Sequence, residues 1–411
     1  MAAASPRLLF LQEDLRTLGG GEVLLGRLAR LAAAVAPVEL ALLFGGGTAR
    51  ARGLEKAFAR VESFDYPRRV RLGSLAGLLR NQHALEVSLA SRPTRACVAT
   101  SYAGAFRGVL AAARTATPLL WTCNFSVTVG GGGDAQVGDG AGLATAERWR
   151  RSAGLRLVAS AGAIAVCPSR AVAAELESLG YPRAQLRLIG VGVELGAYRP
   201  STTDAAALRC ERERRGVPPA DLVAVCVARI DPVKDHELLV RAVAAASRAG
   251  VRVALVCVGV TEAAHREYAA RVRDTAARLG VADRVLFVGY ADDVPGWLAL
   301  ADVAVLASRK EAGSLFLVEA AASGLPLVGS MAGGIPDVVL PGETGYLFPI
   351  GDAESCASIF VRLAASESDR REMGAGARRF VERERGLGRI DAAWSALFAQ
   401  LLAGDLRAGG S

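Results

Sequence analysis

Residues 309–339 read RKEAGSLFLVEAAASGLPLVGSMAGGIPDVV. Two carboxylates, Glu311 and Glu319, stand here with seven residues between them, and the small-residue turn Ala312-Gly313-Ser314 follows the first. The spacing predicts an apolar helix from about Ser314, ended by Gly324 as a left-handed C-cap and by Pro326 as a helix breaker. A strand over 325–330 comes next, then a Gly333-Gly334 turn and Pro336, placed to open another helix. A strand–helix–strand alternation of this length is the repeat unit of a parallel sheet covered by helices. Glu311 falls in the loop before the helix, beside the backbone N–H groups of Gly313, Ser314, Leu315 and Phe316. Glu319 falls about a turn inside it among Leu315, Phe316, Leu317, Val318 and Ala320, where a carboxylate is costly to bury without a polar partner. The alternative is a solvated Glu on an amphipathic helix.

The same alternation extends in both directions. Upstream, strands are expected at 7–12, 38–44, 61–64, 96–100, 119–123, 163–167 and 186–191, separated by helical patterns. One of these helices, 22–35, is expected to bury Leu24, Leu28, Leu31 and Val35. A second set of strands is expected at 222–228, 251–259, 284–289, 303–308, 325–330 and 346–349. At 411 residues the chain is long for one core and comfortable for two. The expected division is 1–193, 194–385 and a terminal helix, 386–411, whose Ile390, Trp394, Leu397 and Leu401 form one stripe. Two such sheets make a doubly wound α/β protein with ligands outside the strand C-termini.

Composition narrows the classes further. Apolar residues make up 52% and charged residues 22%, which suits a packed globular chain. No apolar run approaches the roughly 20 residues of a membrane span, and the reading places the chain in the cytoplasm. The seven cysteines are dispersed without a CxxC pair and are expected to be reduced core thiols. Of 49 basic residues only Lys56, Lys234 and Lys310 are lysine. Residues 50–80 carry eight basic groups against three acidic, a patch that suits an anionic membrane surface or a solvated arginine-rich face. No nucleic-acid-binding module is recognisable.

Four more segments carry chemistry. Gly20 and Gly21 follow the first strand and open a helix, where consecutive glycines let backbone N–H groups approach an anion, or simply make a turn. Arg229 and Lys234 lie where the second set's first strand ends; the guanidinium is a planar fork for phosphate oxygens and the ammonium a compact point charge. Tyr290 ends a strand just before Asp292-Asp293, which reads as an acidic pair at a helix N-terminus and not as a metal site. Asn124 follows the strand 119–123, and the glycine-rich segment 127–145 after it is either an acceptor lid or disordered.

Together, the Glu-x7-Glu spacing, the AxxSGLPLV and GGIPDVV flanks and the Arg-x4-Lys pair resemble glycosyltransferase family 4, retaining enzymes of the GT-B fold. The resemblance implies two Rossmann-like domains facing across a cleft, with the last helix crossing back to the first domain. It implies that Glu311 meets hydroxyls of the transferred sugar and Glu319 the two ribose hydroxyls. It likewise implies that Arg229 and Lys234 stabilise the leaving diphosphate, that Gly20 and Gly21 face it, and that the Tyr290 strand end holds the base. The implied donor is a nucleoside diphosphate sugar of UDP or GDP type, with no metal or other cofactor; the acceptor is a small molecule, glycan or lipid. At the position of Asn124 many family members carry a His, so the resemblance leaves open a histidine-free transferase, a GT-B epimerase or hydrolase, or a catalytically silent binding protein.

Overall fold

The computed structural model describes residues 6–12, 20–44, 54–66, 75–123, 145–201 and 203–405. The chain forms two compact units, one of residues Met1–Ile189 with Asp391–Ser411, the other Gly190–Ile390. In the first unit the order is β1 (Arg7–Gln12), α1 (Gly20–Ala33), β2 (Val38–Leu42), β3 (Arg60–Ser63), α2 (Leu75–Ser91), β4 (Thr94–Ala99) and α3 (Tyr102–Arg114). It continues with β5 (Leu119–Thr122), α4 (Thr145–Ser160), β6 (Ile164–Cys167), α5 (Arg170–Ser178) and β7 (Leu186–Leu188). These strands make one parallel sheet in the order β3-β2-β1-β4-β5-β6-β7. Within it β1 is apolar on both faces, Leu8 to Leu11 having no exposed surface, as helices on both sides require. At the N-terminus of β1 the buried Arg7 binds Glu39, Thr94 and Ser88.

In α1 the buried face is Leu25, Leu28, Ala29 and Ala32. The expectation for Val35 fails, because the helix stops at Ala33 and Val35 is 47% exposed in the turn that follows.

The second unit runs α6 (Ala205–Arg214), β8 (Leu222–Val227), α7 (His236–Arg248), β9 (Val253–Val258), α8 (Arg266–Arg278), β10 (Val285–Gly289) and α9 (Val294–Ala299). It continues with β11 (Val303–Leu306), α10 (Leu315–Ala322), β12 (Leu327–Ser330), β13 (Gly345–Phe348), α11 (Ala353–Ala365) and α12 (Glu367–Glu384). The sheet is again parallel, in the order β10-β9-β8-β11-β12-β13. The core is the strand set with the inner faces of α7, α10 and α11, from Leu239 and Val256 to Phe348 and Phe360.

Helix α10 ends as its sequence dictates. Gly324 takes φ +74°, its N–H donates to Ala321 and the Leu325 N–H donates back to Ala320. Leu325 is spent on that cap, so β12 begins two residues later than expected. Pro336 opens only the three-residue 3-10 turn Ile335–Asp337, not a helix. The Leu340 N–H goes instead to the Thr344 hydroxyl, and Pro341 bars continuation.

The last helix, α13 (Leu387–Ala403), buries Ile390, Trp394, Leu397, Phe398 and Leu401. From Asp391 onward it belongs to the first unit, where Asp391 accepts from Arg27 Nε at 2.7 Å. The seven cysteines are free, and all but Cys210 are buried.

Candidate active site

In the second unit β8 and β11 are sheet neighbours although β9 and β10 separate them in the chain. From this pair the connections leave in opposite directions, and beyond the strand C-termini a crevice opens at such a switch point. β8 delivers Arg229 and Lys234 to this edge; β11 delivers Ser308, Arg309 and Glu311.

The β8 loop is shaped by its own carboxylates. Asp231, 3% exposed, accepts from the Val233 and Lys234 N–H groups at 2.9 and 3.2 Å and turns the chain back on itself. Asp235 follows at φ +48°, a left-handed conformation that Asp tolerates better than most residues, and caps α7 by accepting from Leu238 at 3.3 Å. Two ion pairs of opposite sense stitch this loop to the next. Lys234 Nζ donates to Glu311 Oε2 at 2.6 Å, and Arg309 Nε to Asp235 Oδ2 at 2.9 Å. Between them the Arg309 N–H donates to the Val233 carbonyl at 2.7 Å.

Glu311 is held at both ends. The Ser308 hydroxyl donates to the same Oε2 at 3.3 Å, and the Gly334 N–H donates to the Glu311 carbonyl at 2.8 Å. Gly333 has φ +48°, and a Cβ there would overlap that carbonyl oxygen, so the turn requires glycine. Ser314 caps α10 by accepting from Leu317 at 3.2 Å. The N–H groups of Leu315 and Phe316, first in the helix, have no carbonyl one turn earlier to bind. Glu311 therefore lies one short turn from the positive end of a helix.

Glu319, on α10, has a different environment. Its Oε1 accepts from Tyr198 Oη at 2.8 Å. Burial pushes its pKa up from the usual 4.5 to about 7, partly opposed by the tyrosine bond. Arg378 of α12 donates to the carbonyls of Tyr198, at 2.7 Å, and of Ala322 at the end of α10, while its Nε binds Glu382.

The other expected site residues are placed differently. Arg229 is more than half exposed and bound to Glu262 at 2.7 Å and Asp231 at 3.2 Å, so the two cations expected on one anion have separate carboxylates. Tyr290 is 73% exposed with its hydroxyl on Asp292 at 2.7 Å, and Asp293 caps α9. Gly20 and Gly21 are the first residues of α1, whereas Asn124 and the segment 127–144 lie outside the described residues. So do Arg50, Arg52, Arg68, Arg69 and Arg71 of the basic patch; Arg60 within it pairs with Glu62 at 3.2 Å.

His236, the first residue of α7, is fully buried, and burial, with Lys234 nearby, lowers its pKa to about 4, so it stays neutral. Among the described residues no three His, Cys, Asp or Glu side chains are grouped to hold a metal ion, and no helix is long and apolar enough to cross a membrane. Tyr198, Asp235, Arg309 and Arg378 were not expected at the site. Tyr198 stands close to the expected division between residues 193 and 194.

Comparison with known proteins matches residues 19–192 to the family described as "Glycosyl transferase 4-like domain" and residues 210–380 to "Glycosyl transferases group 1". A D-inositol 3-phosphate glycosyltransferase of Streptomyces avermitilis is 31% identical over 67% of this chain and 59% of its own length. An N-acetyl-alpha-D-glucosaminyl L-malate synthase of Bacillus anthracis is 44% identical over 25% of this chain and 27% of its own. The chain thus spans no more than about three-fifths of these curated relatives. Anabaena HepE, solved in complex with UDP and glucose, superposes with TM-score 0.75 at 20% identity, over 96% of this chain and all of its own, which establishes the GT-B fold.

Proposed function

We propose, for a chain whose residues 19–192 and 210–380 match the glycosyl transferase 4-like and the glycosyl transferases group 1 families, that it moves a hexose-type sugar from a nucleoside diphosphate sugar to an acceptor with retention of configuration. The observation that carries this reading is the Lys234–Glu311 pair at the switch point of the second sheet, at the N-terminus of the helix that bears Glu319. An ammonium there meets the diphosphate, the carboxylate beside it meets sugar hydroxyls, and a carboxylate about one turn into the helix accepts from the ribose. As the bond from sugar C1 to the diphosphate oxygen breaks, negative charge grows on that oxygen, and fixed cations favour that transition state over the ground state. Arg229 supplies a second cation when its guanidinium turns from Glu262 to phosphate. The acceptor oxygen bonds to C1 on the face the diphosphate leaves, and its proton passes to the departing phosphate oxygen. This route needs no histidine, and it leaves Asn124 to orient the sugar. Gly20 and Gly21, at the start of α1, are assigned to the diphosphate, and Tyr290 to the base.

The reading takes the donor as UDP- or GDP-linked, in line with the UDP bound by Anabaena HepE. The charge on the diphosphate is assigned to Lys234 and Arg229, so transfer proceeds without a divalent cation, in the cytoplasm, with the 50–80 patch as a point of contact with anionic membrane. A thermal-shift panel of UDP-, GDP- and ADP-sugars in EDTA tests it. One nucleotide series at about 100 times its dissociation constant adds roughly 2.7 kcal/mol of stability. No response from any nucleotide sugar, or a response only when a divalent metal is restored, overturns the reading.

A further inference from the structure

We infer that Tyr198 is a positioning residue for Glu319: its phenol holds the carboxylate by one oxygen, leaves the other for the nucleotide, and stabilises the charged form that binds it. The inference rests on the assignment of Glu319 to the ribose.

Three contacts close a ring around the carboxylate. Tyr198 Oη donates to Glu319 Oε1 at 2.8 Å, from a residue 121 positions away in sequence. Arg378 holds the Tyr198 carbonyl at 2.7 Å and also the Ala322 carbonyl, tying the tyrosine's backbone to the end of the helix that carries Glu319. Among the described residues Glu319 Oε2 takes no protein donor, so one oxygen is held and the other is left without a protein partner. The groups around Glu319 are few. Tyr198 comes from the 190–201 segment; Arg378 comes from α12 and is engaged by two carbonyls and Glu382; β11 and β12 present buried apolar side chains and Ser330. Among the described residues no cation pairs with the carboxylate. The phenol is the donor that offsets its burial, and the affinity for ribose follows its ionised fraction.

Y198F tests this, because it keeps the ring and leaves Arg378 its backbone carbonyl. UDP-glucose and GDP-mannose are the probes, since their diphosphates do not titrate between pH 6 and 8.5. Affinity of the wild type falls below pH 7. In Y198F the midpoint moves up by about one pH unit, the lower end of what a hydrogen bond to a charged group gives. Binding is then about fivefold weaker at pH 7 and within about twofold of wild type at pH 8.5. A uniform loss at every pH, or an unmoved midpoint, overturns the inference. Failure of the underlying assignment has a separate signature: E319Q binds the nucleotide sugar as tightly as wild type at pH 8.

A second arm needs no nucleotide. The difference in thermal stability between wild type and E319Q, followed against pH, reports the titration of Glu319. The same difference between Y198F and Y198F/E319Q reports it without the phenol. An upward displacement of the second curve supports the inference, and coincident curves overturn it.

Discussion

Glu311 and Glu319 stand on one short segment with seven residues between them, yet the fold treats them as opposites. Glu311 lies in a loop, takes an ammonium at 2.6 Å and a hydroxyl at 3.3 Å, and has its backbone fixed by the Gly333-Gly334 turn. Glu319 lies on an apolar helix, takes a neutral phenol, and is pushed by burial to a pKa of about 7. The first carboxylate is held by an ion pair that must be shared if diphosphate competes for Lys234. The second is held in place by a donor without charge, which orients it and only partly offsets its burial. Similar side chains on one motif are thus suited to different partners, one to charge and hydroxyls together, the other to a neutral diol.

The largest effect is expected at the charged end. K234M removes the ammonium and leaves Glu311 without its ion pair, and kcat at saturating donor should fall by about 10²–10³. A fall under tenfold would mean that Arg229 alone carries the phosphate charge.

At the other carboxylate the change should stabilise. A carboxyl whose pKa is raised in the folded chain favours folding fully below its ordinary value of 4.5, and that contribution is lost as pH rises to about 7. E319Q escapes the loss, so without added nucleotide it should be more stable than wild type at pH 8 by roughly 3 kcal/mol. The difference should vanish toward pH 4.5. Equal stability at both pH values, by denaturant melts, would mean Glu319 titrates as an ordinary surface carboxylate.

The smallest effect is at Asp235, which braces the charged end through Arg309. D235A loses both the helix cap and that ion pair and should cost about 1–2 kcal/mol, whereas D235N keeps a capping oxygen and should cost less than about 1 kcal/mol. Neither should move the titration of Glu319. A shared shift would show that the two ends are coupled.

Much of this was legible before any coordinates. The strands follow from apolar runs bounded by turn residues, and the end of α10 from Gly324 and Pro326, because these signals are local. Glu311, Glu319 and Lys234 stood out as candidates because chemistry and spacing coincide in one segment or one strand end. What could not be read is long-range pairing. Nothing local to Tyr198 indicates that its hydroxyl reaches Glu319, 121 residues on, or that Asp235 meets Arg309, 74 residues on. The ion pair of Arg229 was illegible for a related reason, since its carboxylate partner Glu262 arrives from beyond the next strand. Pro336 misled because proline permits a helix to start, and whether it continues was decided by Thr344 and Pro341.

The most direct test of the two-carboxylate account is calorimetric binding of the responding nucleotide sugar at pH 8, at low and high salt, to wild type, K234M and E319Q. The account predicts that both variants bind at least about tenfold more weakly, the loss of one or more charge-assisted bonds each. It further predicts that the K234M deficit shrinks as salt rises, because a charge contact is screened, while the E319Q deficit stays. Wild-type affinity in either variant, or the same salt response in both, would contradict it.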